Sequence, residues 1–151
     1  MKSARLALAA IALAALTGCS VTNPIQTQVV YSASDGARIV VGETVEAKNL
    51  LVLISAQGEP GALIGAVTNR GSQDASATIS VQGAGSQELE LAPGESHRFV
   101  GEDLVRFDAV DARPAQTLPI TVSSGTEGAV SATVPVLDGT LPEYAEVLES
   151  H

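Results

Sequence analysis

Three stretches of this 151-residue chain alternate apolar and polar side chains one for one. Ala77, Ile79 and Val81 alternate with Thr78, Ser80 and Gln82. Leu118, Ile120 and Val122 alternate with Pro119, Thr121 and Ser123. Val130, Ala132, Val134 and Val136 alternate with Ser131, Thr133 and Pro135. A period of two gives a strand one buried and one solvated face. Between such runs sit SASDGA, QGEPGA, NRGSQD, GAGS, APGES and SSGTEG, each rich in the residues that build turns. Short strands at this spacing close into a sandwich or barrel. The chain therefore reads as all-β, a single immunoglobulin-like β-sandwich spanning residues 28–137. Strands are expected at Gln28–Tyr31, Ala37–Val41, Val45–Ser55, Ala62–Asn69, Ala75–Gln82, Gln87–Leu91, His97–Val100, Val105–Val110, Leu118–Ser123 and Ala129–Val136.

Three details refine this layout. The run NLLVLIS loses alternation at its centre, as a strand buried on both faces does. Pro119 and Pro135 cannot donate to a ladder, which predicts edge strands or strand starts for both. The tail, residues 138–151, breaks the β pattern. Thr140 is placed to cap a short helix, with Pro142 near its first position and Glu143 in its first turn. Leu141, Tyr144 and Leu148 share one face of that helix. So short a helix is marginal alone, so it either docks on the sandwich or frays; fraying is the favoured expectation.

The amino terminus is built differently. Lys2 and Arg5 precede an unbroken Leu/Ala/Ile run from Leu6 to Leu16, then Thr17, Gly18 and Cys19. The run is too short to span a bilayer and has the length of a signal-peptide core. Residues 1–18 are read as a cleaved leader, and LTGC resembles the bacterial lipobox: an aliphatic residue, two small residues and an obligatory cysteine. That resemblance implies a diacylglyceryl thioether on Cys19 and cleavage before it. Two or three acyl chains hold firmly to a bilayer where one does not. Residues 19–27, the lipidated cysteine and a short tether, would keep the domain near the outer face of the cytoplasmic membrane. Cys19 is the only cysteine, so the exported domain has no disulfide to draw on.

Charge narrows the partners. Without the leader the chain carries six basic and 17 acidic residues, a net of −11. This argues against nucleic acid, because phosphate binding depends on Lys and Arg. It also predicts repulsion from an anionic membrane, with only the lipid inserted and the domain standing off. Aromatic residues make up 3% and Trp is absent, so stacking platforms for bases or sugars are scarce.

From Gly61 onward, GALIGAVTNRGSQDA, LELAPGES and QTLPITVSSGTEGAVSATVPV resemble the PCuAC-type copper-chaperone domain, a small exported cupredoxin-like sandwich. The first half, with YSASDGA followed by LLVL, resembles small secreted actinobacterial lipoproteins. The chaperone family implies Cu(I) held by spaced Met and His ligands. Here the only methionine is Met1, and the histidines are His97 and the terminal His151. No family ligand transfers to any position, so no metal site and no cofactor is expected. His97, in PGESHRF, reads as a surface or strand-edge residue.

Other chemistry fares no better. Ser96 and His97 are adjacent strand residues that point to opposite faces, which disfavours a shared proton. The segment GEDLVRFDAVDA carries Glu102, Asp103, Asp108 and Asp111, but lacks the dense spacing of a calcium loop and includes Arg106. It reads as a solvated loop and strand. No catalytic residue is assigned, and an enzyme is not expected. The sequence points to a lipid-anchored binding or interaction module with an envelope protein as its unidentified partner. The alternative is a copper-handling protein on the PCuAC-like scaffold.

Overall fold

The computed structural model describes residues 36–125 and 127–149. The leader, Cys19, the tether, the expected strand Gln28–Tyr31 and His151 lie outside them. Nine strands form among the described residues: β1 (Ala37–Val41), β2 (Val45–Ile54), β3 (Gly61–Asn69), β4 (Ala75–Val81), β5 (Gly85–Leu91), β6 (Ser96–Arg98), β7 (Val105–Phe107), β8 (Thr117–Ser124) and β9 (Gly128–Leu137). A 3₁₀ turn covers Gly101–Asp103, and one helix, α1, covers Pro142–Glu149. The expected all-β sandwich is what forms. Each described strand lies where the alternation and turn chemistry placed it, within two residues at its start and three at its end.

The strands run in the order β5-β4-β8-β9-β2-β3-β6, and the sheet folds over a single core. One layer is β5-β4-β8-β9, antiparallel throughout. The other is built on β2 and β3. A parallel seam of only two residue pairs, Val52 with Val136 and Leu53 with Leu137, joins the layers between β2 and β9. Strand β1 pairs with the first half of that same β2 edge. On the far side of β3, β6 takes Ala66–Thr68 and β7 takes Gly61–Leu63. Inward residues alternate as expected: Val45, Ala47, Leu63 and Val67 from one layer meet Ala77, Ile79, Ile120, Val122 and Val134 from the other. Phe99, fully buried, joins the same core.

The break in NLLVLIS has a structural cause that alternation alone does not reveal. Lys48 pairs with Ala66 and Leu51 with Ile64, so Asn49 and Leu50 together oppose the single residue Gly65. This is a β-bulge, and it shifts the phase of β2 by one residue. Before it, Val45 and Ala47 face the core; after it, Leu50, Val52 and Ile54 do. Leu51 and Leu53 point the other way and are also fully buried. Asn49 adopts φ 53°, a left-handed conformation that Asn tolerates better than most residues. Its Oδ1 accepts from the Gly36 amide at 2.8 Å. Gly65, at φ +135°, is required opposite: a Cβ there would lie 2.8 Å from the Lys48 carbonyl oxygen and 2.9 Å from Leu50 Cδ2.

Two expectations change. Pro119 is not on an edge strand, because β8 lies between β4 and β9. Its carbonyl accepts from Gln82, just past the last β4 residue. Its nitrogen, which points to the same side, therefore faces the place where β4 has turned away and no ladder bond is lost. Pro135 is likewise neither on an edge nor at a strand start, because β9 lies between β8 and β2; it sits just before the two-residue seam with β2, where the ladder is short. The tail forms its helix rather than fraying. Pro142 is at the first position and Glu143 in the first turn, as expected. Leu141, not Thr140, takes the cap position, since its carbonyl accepts from Tyr144 and Ala145 at 3.0 Å. Thr140 instead donates its amide to Asp138 Oδ1 at 3.0 Å. The helix touches β2 and β3. Leu141 is 44% exposed, while Leu148 lies beside Gly139.

Candidate functional site

Strand β6 puts His97 and Ser96 on opposite faces, as alternation requires. Ser96 Oγ lies 2.9 Å from Thr68 Oγ1 on the outer face. His97 is paired with the core residue Val67 and meets the Phe99 ring edge to face, with centroids 5.5 Å apart. Its imidazole is half-buried at the rim of a cleft of about 280 Å³, shared with Gln87, Leu89, Glu102, Asp103 and Arg106. The acidic segment is divided by the fold. Glu102 and Asp103, in the 3₁₀ turn, stay near this cleft. Asp108 lines a different cleft, beside Phe107 and Pro60. Asp111 accepts from Gln57 Nε2 at 2.7 Å, and Gln57 Oε1 accepts from Arg113 Nε at 2.8 Å. Among the described residues no three His, Cys, Asp or Glu side chains converge as metal ligands.

The Asn-x-Gly turn has a structural job. Asn69 is fully buried, and its Nδ2 donates to the carbonyls of Gln73, Leu91 and Ala92 at 2.7–3.1 Å. Its Oδ1 accepts from the Gly71 amide at 2.8 Å. One side chain thus ties the β3–β4 turn to the end of β5 and gives the buried Leu91 carbonyl a partner. Glu127 does the same between the two sheet layers. Its carboxylate accepts from the amides of Glu43 and Thr44 at 3.2 and 3.0 Å, and from the Thr44 hydroxyl. The Thr44 hydroxyl, then its amide, holds the Glu127 carboxyl below the ordinary glutamate range. Gly42, at φ +56°, leaves room for that carboxylate.

The outer face of β1, β2, β3 and β6 carries a feature that sequence reading missed. Glu46 is 3% exposed, yet it lies on the solvent side of β2. What covers it is cationic. Arg38 reaches its Oε1 with Nε at 2.6 Å and Nη2 at 2.5 Å. Lys48 Nζ and Arg70 Nε approach Oε2 at 3.2 and 3.7 Å. Burial pushes the Glu46 carboxyl up; hydrogen bonds from Arg38 and Lys48, with their charges, outweigh it and leave the pKa below the ordinary glutamate value. Next to this cluster an open groove of about 550 Å³ is lined by Lys48, Asn49, Thr68, Ser96, Arg98 and Val100. Its cations are scattered through the sequence. Register brings them together: Glu46 pairs with Thr68, Thr68 with Ser96, Lys48 with Ala66 and Ala66 with Arg98.

A fourth concave region lies beside α1, about 600 Å³ in volume, between Ser55, Glu59 and Pro60 on one side and Asp138, Ala145 and Leu148 on the other. No known family and no curated protein matches the chain by sequence. Solved structures do. The copper-bound PCuAC domain from PmoF2 is similar at TM-score 0.51 and 14% identity, over 68% of this chain and 98% of that one. The apo PCuAC domain from PmoF1 gives 0.54 and 13%, over 66% and 98%. The apo PmoF2 PCuAC domain gives 0.55 and 15%, over 70% and 98%. At these identities the shared property is the fold: this chain is built on a PCuAC-like β-sandwich.

Proposed function

We propose that this protein is a non-enzymatic binding module of the cell envelope, held at the outer face of the cytoplasmic membrane by lipid on Cys19. The observation that carries this reading is the pairing of a lipobox-terminated leader with a sandwich of PCuAC-like fold whose chain holds no methionine beyond Met1. The leader and Cys19 supply the address. The sandwich supplies rigid faces for a partner, and no soft thioether donor for Cu(I). Mass spectrometry of the mature amino terminus is the direct test. A diacylglyceryl-modified Cys19, and loss of membrane association in Cys19→Ala, are expected; an unmodified terminus refutes the anchor.

A second reading, copper handling, is favoured by one observation: the PCuAC likeness together with His97 at the rim of an acid-bearing cleft. Imidazole with carboxylates suits Cu(II) better than Cu(I). Titration of the purified protein with each ion separates the readings. Submicromolar binding that disappears in His97→Ala would establish metal handling and displace the first reading.

A further inference from the structure

Residues 36–149 contain six cationic side chains, and four of them, Arg38, Lys48, Arg70 and Arg98, meet on the outer face of the β1-β2-β3-β6 layer. The chain as a whole carries −9, so the placement runs against its average. At the centre of the cluster is Glu46, which is buried beneath three of the four. Glu95, the acid next to Ser96 in sequence, directs its carboxylate to the Ala92 amide at 2.7 Å. Three of the cations share one carboxylate, and Arg98 lies outside that cluster of ion pairs. The side chains of Arg38, Lys48 and Arg70 remain 36%, 55% and 51% exposed, so each keeps donors toward solvent.

One further observation sets what such a face would meet. The groove beside the cluster is open and broad, and its lining includes Thr68 and Ser96, whose hydroxyls lie 2.9 Å apart, and Val100, which is 59% exposed. Cations spread over three strands and a turn, flanked by hydroxyls and one protruding aliphatic side chain, match a planar array of phosphodiesters better than a single small ion.

We propose that this face docks the domain onto anionic phospholipid headgroups, with Lys48, Arg98, Arg38 and Arg70 meeting phosphates and Val100 entering the interface. The inference rests on the lipid-anchored reading. It replaces a domain that stands off the membrane with one laid on it in a fixed orientation.

The test uses the lipidated full-length protein in nanodiscs, with an environment-sensitive fluorophore on Val100→Cys. With phosphatidylglycerol mixed into phosphatidylcholine, the fluorophore should report an apolar, water-poor setting. In phosphatidylcholine alone it should report water. High salt should reverse the first result, because screening weakens exposed charges. Arg98→Glu and Lys48→Glu should each cut the docked population by roughly fivefold or more, while Arg113→Glu leaves it unchanged. Arg98→Glu touches no ion pair of Glu46, so it keeps the test valid if Lys48→Glu unsettles the fold. Equal signals in the two lipids, or a signal indifferent to Arg98→Glu, overturn the proposal. Release by millimolar inorganic phosphate at constant ionic strength would mark a single-anion site and overturn it too. A response only to an added acidic protein would assign the face to a protein partner and likewise overturn it. Failure of the anchor looks different: the protein leaves the nanodisc, and Cys19 is labelled along with Cys introduced at position 100.

Discussion

The outer face of β2 and β3 divides at the Asn49 bulge into two halves that obey different rules. On one side lie Glu46, Lys48, Thr68 and Ala66, bordered by Arg38 and by Ser96 and Arg98. On the other lie Leu51, Leu53, Ala62 and Ile64, of which the first three are fully buried. The same two strands carry both halves, and one inserted residue separates them. Burial of apolar side chains stabilises at roughly 25 cal/mol per Å², whereas ion pairs between partly exposed groups contribute about 0–1 kcal/mol each. The apolar half should therefore hold the fold together, and the charged half should be nearly free to vary. A surface that costs little stability to keep or to lose is available for recognition.

The strongest way to break this comparison is to remove the bulge. Gly65→Val places a Cβ against the Lys48 carbonyl and forces a β-branched residue into φ +135°. A loss of at least about 3 kcal/mol is expected in urea unfolding, by combined clash and backbone strain. A loss below about 1 kcal/mol would show that the phase shift can be made another way. Next comes the apolar half. Leu53→Ala should cost about 2–4 kcal/mol, as for other fully buried leucines.

The charged half should respond more weakly. Glu46→Gln leaves three cations around a neutral amide and is expected to cost about 1 kcal/mol, because Arg38, Lys48 and Arg70 are partly solvated. Its pH dependence sharpens the point. The folded pKa of Glu46 lies below its unfolded value of 4.5, so its contribution is complete only above that unfolded value and is lost as the pH falls from there through the folded pKa. Unfolding free energy measured from neutral pH downward should fall less steeply in Glu46→Gln than in the parent; parallel curves would place the acid sensitivity elsewhere, with Glu127 the next carboxylate to examine. Smallest of all, Lys48→Ala should change stability by less than about 0.5 kcal/mol. A loss comparable to Leu53→Ala would erase the distinction between the halves.

Much of this architecture was legible in the sequence. The described strands appear where alternation and turn residues put them, and the doubly buried run at Leu50–Ile54 is real. Pro142 starts the tail helix as its fixed φ favours. The misreadings share one cause, dependence on neighbours distant in sequence. Pro119 is compatible with an interior strand only because β4 ends at Val81. The tail helix persists because β2 and β3 give it a surface, which an isolated propensity estimate cannot include. Asn69 was visible as a turn signal, but its hold on Leu91 and Ala92 needs β5 to arrive beside it.

Net charge shows the same division most clearly. Composition determines that the chain is acidic, that its thiol is unique and that its fold must be carried by alternating strands, since each of these is a count or a period. It says nothing of where charges gather. Arg38, Lys48, Arg70 and Arg98 are separated by 10, 22 and 28 positions. Pairing of β1, β2, β3 and β6 turns those intervals into neighbours a strand apart. Strand register, fixed by one bulge and one glycine, decides that an acidic protein presents a basic face.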